Sequence, residues 1–129
     1  ELADQLMKLH QITLTNIPVF IQQASIKALE LRHEIANKMR EDYRRRADLT
    51  SKIFSKTKLK FTKPDAPFYF FPKYDNLDSE KFALDLLDKG VAITPGTAFG
   101  QYRDHFRIAL TIPDEEIELG LKKICEALK

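Results

Sequence analysis

Apolar positions recur at helical spacing through the first half of the chain, and at a mixture of strand and helix spacings through the second. Leu2, Leu6 and Leu9 open a first helix, which Thr13, Thr15 and Asn16 interrupt ahead of Pro18. Proline is tolerated in a first helical turn and asparagine is a good cap, so Asn16 is expected to cap a second helix. In that helix Phe20, Ala24, Ala28 and Leu31 return on one face. The pattern weakens at Arg32-His33-Glu34 and resumes with Ile35, Met39, Tyr43, Leu49 and Phe54. An unbroken helix from Pro18 to Phe54 would be unusually long, which predicts a break or kink near residues 31–34.

Beyond Phe54 the periods shorten. Phe68 to Phe71, between Pro67 and Pro72, reads as a short aromatic strand. Asp78 or Ser79 caps a helix with Phe82, Ala83, Leu86 and Leu87 on its apolar face, and Gly90 stands where a left-handed stop is wanted. Val91-Ala92-Ile93 predicts a second strand, ended by a type II turn at Pro95-Gly96. In the third, Phe106, Ile108 and Leu110 share one face and Arg107 and Ala109 the other. A last helix starts near Asp114 with Pro113 ahead of it, carries Glu115 and Glu116 at its positive end, and buries Ile117, Leu121, Ile124 and Leu128. The expected architecture is a long helical lead-in and a small α+β domain, three to four strands with helices packed on them.

Composition narrows the function classes. At 129 residues there is room for one compact domain, perhaps with an appendage, and 43% hydrophobic content fits a soluble globular protein. Twenty-one basic and 19 acidic residues leave a net charge of +2, without the lopsided balance of a nucleic-acid domain. Cys125, the single cysteine, cannot form an internal disulfide and is compatible with a reducing cytoplasm. The longest apolar runs are too short to span a bilayer, so no membrane role is expected. No signal peptide is visible and the chain begins at Glu1 without methionine, which predicts a processed or truncated start.

Arg107 is the residue most suggestive of chemistry. Its neighbours in the strand are apolar, so its charge is expected to be at least half-buried and to need an anion, and a guanidinium fork fits a carboxylate through two parallel hydrogen bonds. A structural Asp or Glu, or an exposed edge, would also account for it. The other candidates are weaker. His10, His33 and His105 have no metal-ligand spacing among themselves or with Cys125, so no metal is expected, and Cys125 reads as a small core residue. Arg44-Arg45-Arg46 has the chemistry to contact phosphates, but Glu41, Asp42 and Asp48 flank it, so a solvated helix face is favoured. Ser55-Lys56-Thr57-Lys58 has a Ser-x-x-Lys form and is read as a solvated helix end.

The stretch Gly90 to Gly100, GVAITPGTAFG, followed by Phe106-Arg107-Ile108, resembles the small domain of the fold-type-I aminotransferases, the aspartate aminotransferase superfamily. Phe68 to Pro72 resembles that family's aromatic strand. Leu9 to Leu29 is similar to the segment after its cofactor-lysine region, and Tyr43 to Asp48 resembles its Tyr-x-x-Arg-Arg-Asp stretch. Ala66-Pro67 replaces the glycine common before the aromatic strand, and Pro113 replaces a serine cap. The resemblance implies an α/β-class parent enzyme in which Arg107 binds the substrate α-carboxylate, while Arg103 falls in the variable loop. It places Thr15 and Asn16 near the active site across a homodimer interface.

The family's chemistry needs a lysine holding pyridoxal 5'-phosphate and an acid for the pyridine nitrogen. By resemblance both lie upstream of this chain, so no catalytic or cofactor-binding residue is expected within it, nor the cofactor bound to it alone. Residues 1–31 are then expected to be a remnant of the large-domain and linker helices, exposing Phe20 and Ile21, and residues 32–129 the small domain with its long interdomain helix. The implied function is transfer of an amino group between an L-amino acid, aspartate favoured, and a 2-oxo acid. An independent interaction or dimerisation module sharing this architecture is the alternative, and a basic nucleic-acid-binding helix a third reading.

Overall fold

The computed structural model describes residues 1–14, 16–65 and 67–128; Thr15, Ala66 and Lys129 lie outside the described residues. The described chain forms two compact units, residues 1–38 and 39–129. Its five helices and small antiparallel sheet make it an α+β protein.

The first unit holds helices α1 (Leu2–Thr13) and α2 (Val19–Glu30) and the start of α3 (Arg32–Phe54). Neither α1 nor α2 buries a residue: Leu2, Leu6 and Leu9 are exposed, as are Phe20 at 73% and Ile21 at 44%. The expected break falls on Leu31, a single turn residue whose amide still reaches the Lys27 carbonyl. Asn16 is not the cap of α2. The N-cap is Pro18, whose carbonyl accepts from the amides of Ile21 and Gln22. A proline carbonyl opens the helix as well as any other, and the first turn begins after the ring, two residues too late for Asn16.

The second unit is built around a three-stranded sheet in the order β1-β3-β2, from β1 (Tyr69–Phe70), β2 (Thr94–Pro95) and β3 (Phe106–Ala109). Both pairings are antiparallel. Tyr69 faces Ala109 and Phe70 faces Ile108 on one side, while Thr94 faces Arg107 and Pro95 faces Phe106 on the other. The alternation read from the sequence holds along β3: Phe106, Ile108 and Leu110 are buried, Arg107 is half-buried and Ala109 is exposed. Phe106 meets Phe82 of α4 (Ser79–Leu87) with ring centroids 5.3 Å apart, and Phe70 meets Phe54 of α3 at 6.3 Å. Helix α5 (Asp114–Ala127) adds Ile117, Leu121 and Ile124 to the same core.

Caps follow their chemistry. Asp78 accepts from the amides of Glu80 and Lys81 at the start of α4, and Gly90 takes φ +77° after its end. Pro113 is the N-cap of α5, its carbonyl accepting from Ile117. Leu87, expected on the apolar face of α4, is exposed because the buried stripe of that helix runs through Ser79, Phe82 and Leu86.

Two further expectations are corrected. The second strand is Thr94–Pro95, not Val91–Ile93: the apolar run packs partly buried against the core, and only the two residues after it reach the β3 ladder. Proline is acceptable there because β2 is an edge strand. Pro95-Gly96 is not a type II turn, since such a turn needs a positive φ that Gly96 does not have; Gly96–Phe99 is a 3-10 helix closed by Gly100 at φ +124°. Gly96 is there for closeness. A Cβ on it would stand 2.0 Å from the Tyr102 carbonyl oxygen and 2.6 Å from that of His105, both backbone atoms that cannot swing away. Gly96→Ala should therefore lower stability by on the order of 3 kcal/mol, at the upper end of overpacking costs, measured as a shift in urea midpoint. An unchanged midpoint would show that this loop yields cheaply.

Candidate functional site

Arg107 stands on the outward face of the sheet in the second unit. Arg107 is carried there by the alternation of β3, since its strand neighbours Phe106 and Ile108 point into the core. Thr94 lies directly across on β2, and Arg107 Nη2 donates to its hydroxyl oxygen at 3.2 Å. On the opposite side Tyr69 of β1 puts its ring centroid 4.4 Å from the guanidinium carbon. Phe99, delivered by the 3-10 turn, stands at 4.9 Å. A guanidinium against aromatic faces is held by ring quadrupoles without losing its N–H donors to them. Arg107 is half-buried on the central strand, and among the described residues no carboxylate lies within salt-bridge distance of it.

Phe99 extends the aromatic surface to Phe71, at 5.6 Å between centroids, and His105 stacks on Phe71 at 5.1 Å and 24°. His105 Nδ1 is 2.6 Å from an Asp104 carboxylate oxygen, whose other oxygen meets Lys73 at 2.9 Å. The hydrogen bond from Lys73 holds the Asp104 carboxyl below its ordinary range, and Asp104 in turn raises the Lys73 ammonium. His10 and His33 belong to the first unit, and among the described residues no three metal-ligating side chains come together. Asn16 lies in the first unit too, between α1 and α2, and Arg103 is exposed in the loop before β3. Ser55 and Thr57 turn their hydroxyls onto the carbonyls of Lys52 and Phe54 at the end of α3. Cys125 helps line a cleft of about 470 Å³ with Ile53, Lys56, Lys58 and Tyr74. Arg107 does not line it.

The arginine run of α3 is not wholly solvated. Arg45 and Arg46 both bind the Asp114 carboxylate, at 2.6 and 2.8 Å, and Arg46, only 16% exposed, also donates to the Leu110 carbonyl where β3 ends. The sequence did not show that pairing, nor Thr94, Tyr69 and Phe99 around Arg107. The helpful signal was the antiparallel register, which follows only from knowing which strands are neighbours.

Comparison with known proteins settles the family. The sequence profile of the aminotransferase class I and II family matches residues 1–124. This chain belongs to that family. An aspartate aminotransferase of Thermococcus kodakarensis is 39% identical over 117 residues, which cover 91% of this chain and 31% of the relative. An LL-diaminopimelate aminotransferase of Dehalococcoides mccartyi is 38% identical over 113 residues, 85% of this chain and 29% of the relative. The crystal structure of an aromatic aminotransferase from Pyrococcus horikoshii superposes with a TM-score of 0.83 at 31% identity, over 97% of this chain and 35% of that one. The aminotransferase chain described here thus spans about a third of the length of these relatives. Among the described residues no helix is long and apolar enough to cross a membrane.

A pyridoxal phosphate site does not fit the residues this aminotransferase chain gathers around Arg107. The groups touching the guanidinium are Thr94, Tyr69 and Phe99, and none is a lysine to take the aldehyde or an acid to hold the pyridine nitrogen.

The Arg45–Asp114–Arg46 cluster sets a pH dependence. Hydrogen bonds from Arg45, then Arg46, hold the Asp114 carboxyl at about 2, below its ordinary 3.8. A lowered folded-state value stabilises the fold above the unfolded value and is lost as pH falls through the folded one. The stability difference between the unsubstituted chain and Asp114→Asn should accordingly be constant above about pH 5 and shrink between about pH 4 and pH 2. Urea titrations across that range check it, and a difference that stays flat down to pH 2 would remove Asp114 as the titrating group.

Proposed function

We propose that this chain is the small-domain part of a pyridoxal-phosphate-dependent aminotransferase, in which Arg107 grips the α-carboxylate of the substrate. On this reading residues 32–129 are the small domain with its interdomain helix, and residues 1–31 are a remnant of the large-domain and linker helices. The observation that carries the reading is Arg107 itself: half-buried, held against two rings, bonded to one hydroxyl and free of any internal carboxylate among the described residues. Its unused N–H groups suit a planar anion through two parallel bonds. An anchor of this kind fixes where the substrate Cα–H points, and misplacement by about 1 Å can cost on the order of a hundredfold in rate.

The cofactor supplies the electron sink of amino-group transfer, and its lysine and acidic partner come from outside the residues described. The amino donor is an L-amino acid and the acceptor a 2-oxo acid. Aspartate is favoured as donor because a 39% identical relative is named an aspartate aminotransferase. The relatives named for LL-diaminopimelate support the same anchor, since both amino acids carry the α-carboxylate that Arg107 would hold. The working enzyme is a homodimer, with Asn16 near the active site across its interface.

A second reading, an interaction or dimerisation module, draws on the bare apolar positions of α1 and α2. Two experiments separate them. Incubating this chain with pyridoxal phosphate and borohydride should label no single lysine stoichiometrically, and one such lysine found by peptide mapping overturns the assignment of the cofactor site elsewhere. In the complete polypeptide carrying this chain, Arg107→Lys should lower transamination kcat/KM by on the order of a hundredfold, because an ammonium cannot reproduce the fork. Unaltered kinetics in that variant, or a complete polypeptide without transaminase activity, favours the module.

A further inference from the structure

The hydroxyl opposite Arg107 limits how a carboxylate can reach it. A guanidinium offers two bidentate edges: Nε–H with a hydrogen of Nη2, and a hydrogen of Nη1 with the other hydrogen of Nη2. Nη2 is common to both edges, and it is the atom that donates to Thr94. Whichever hydrogen Thr94 takes, one edge is closed and one is left. The rings of Tyr69 and Phe99, with centroids 4.4 and 4.9 Å from the guanidinium carbon, restrain the group further.

We propose that Thr94 is a positioning residue that closes one of the two forks of Arg107, so that a substrate carboxylate docks in a single orientation. The proposal rests on the reading of Arg107 as the carboxylate anchor. The cross-strand register supplies the geometry: Thr94 and Arg107 are partners in the β2–β3 ladder, so the hydroxyl is held by backbone pairing and not by a mobile loop. The residue type matters as well. Valine has the same branched shape but no acceptor, and serine keeps the acceptor without the methyl group. An Asp at this place would neutralise the cation and compete with substrate; a hydroxyl directs the guanidinium and leaves its charge for the ligand.

The test is arginine side-chain NMR on the isotopically labelled chain, with acetate as the carboxylate probe. The unsubstituted chain should show two resolved Arg107 Nη signals, because rotation about Nε–Cζ is slowed by the Thr94 bond, and a saturable response to acetate. Thr94→Val should speed that rotation by about tenfold or more, the scale set by one hydrogen bond to a charged group, while keeping an acetate response. Thr94→Ser should restore slow rotation, which loss of packing at this position would not do. Backbone amide spectra establish that each variant keeps the fold. Slow rotation retained in Thr94→Val, with a normal acetate response, overturns the role of Thr94 alone and assigns the restraint to the rings. Absence of any acetate response in the unsubstituted chain overturns the carboxylate reading, and the fork assignment falls with it.

Discussion

The second unit depends on the two-residue alternation of its central strand. β3 has a neighbour on each side, and its inward residues Phe106, Ile108 and Leu110 are nearly inaccessible to water. A slip of one residue would turn all three outward and drive the Arg107 charge into the core, so burial on one face specifies the register strongly. Arg107 is thus oriented by the burial of its two strand neighbours, Phe106 and Ile108. The aromatic core behind the sheet, with Phe106 against Phe82 and Phe70 against Phe54, gives that orientation its stiffness.

Both ends of β3 are tied by polar contacts that extend the ladder. At the entry, the amide of Gly96 donates to the His105 carbonyl and that of Phe106 to the Pro72 carbonyl. At the exit, Leu110 donates to Phe68 and accepts from Arg46, itself clamped with Arg45 onto Asp114. The arginine run serves the strand that carries Arg107, joining α3, the end of β3 and the start of α5. The missing side chain at Gly96 does similar work at the other end: it lets the 3-10 turn close on the loop before β3, and that turn delivers Phe99 to the guanidinium.

Much of this was legible in the sequence, and the limits have physical causes. The alternation of β3, the Asp78 cap, the Gly90 stop and the break at Leu31 all follow from local patterns whose partners lie within a few residues. The position of β2 is not legible in the sequence, because hydrophobicity locates what packs on the core, whereas a strand is defined by the ladder it joins. The turn at Pro95-Gly96 is ambiguous in the sequence, because glycine answers two needs, positive φ and close approach, and only the second applies here. The surroundings of Arg107 were out of reach, since Tyr69, Thr94 and Phe99 come from three separate places in the chain.

Those surroundings explain how a half-buried guanidinium is kept with no acid beside it among the described residues. Burying a cation without a counter-charge is costly, and the usual remedy is an internal Asp or Glu, as Asp114 provides for Arg46. Around Arg107 the remedy is weaker: two ring faces and one hydroxyl, each of which favours the cation without neutralising it. The arrangement leaves a net positive site aimed away from the core, its planar donors still able to take an anion. An internal carboxylate would make the fold more self-sufficient and would occupy those donors. The two surroundings stand side by side within this small unit: rings and a hydroxyl around Arg107 on β3, and a carboxylate on Arg46 of α3.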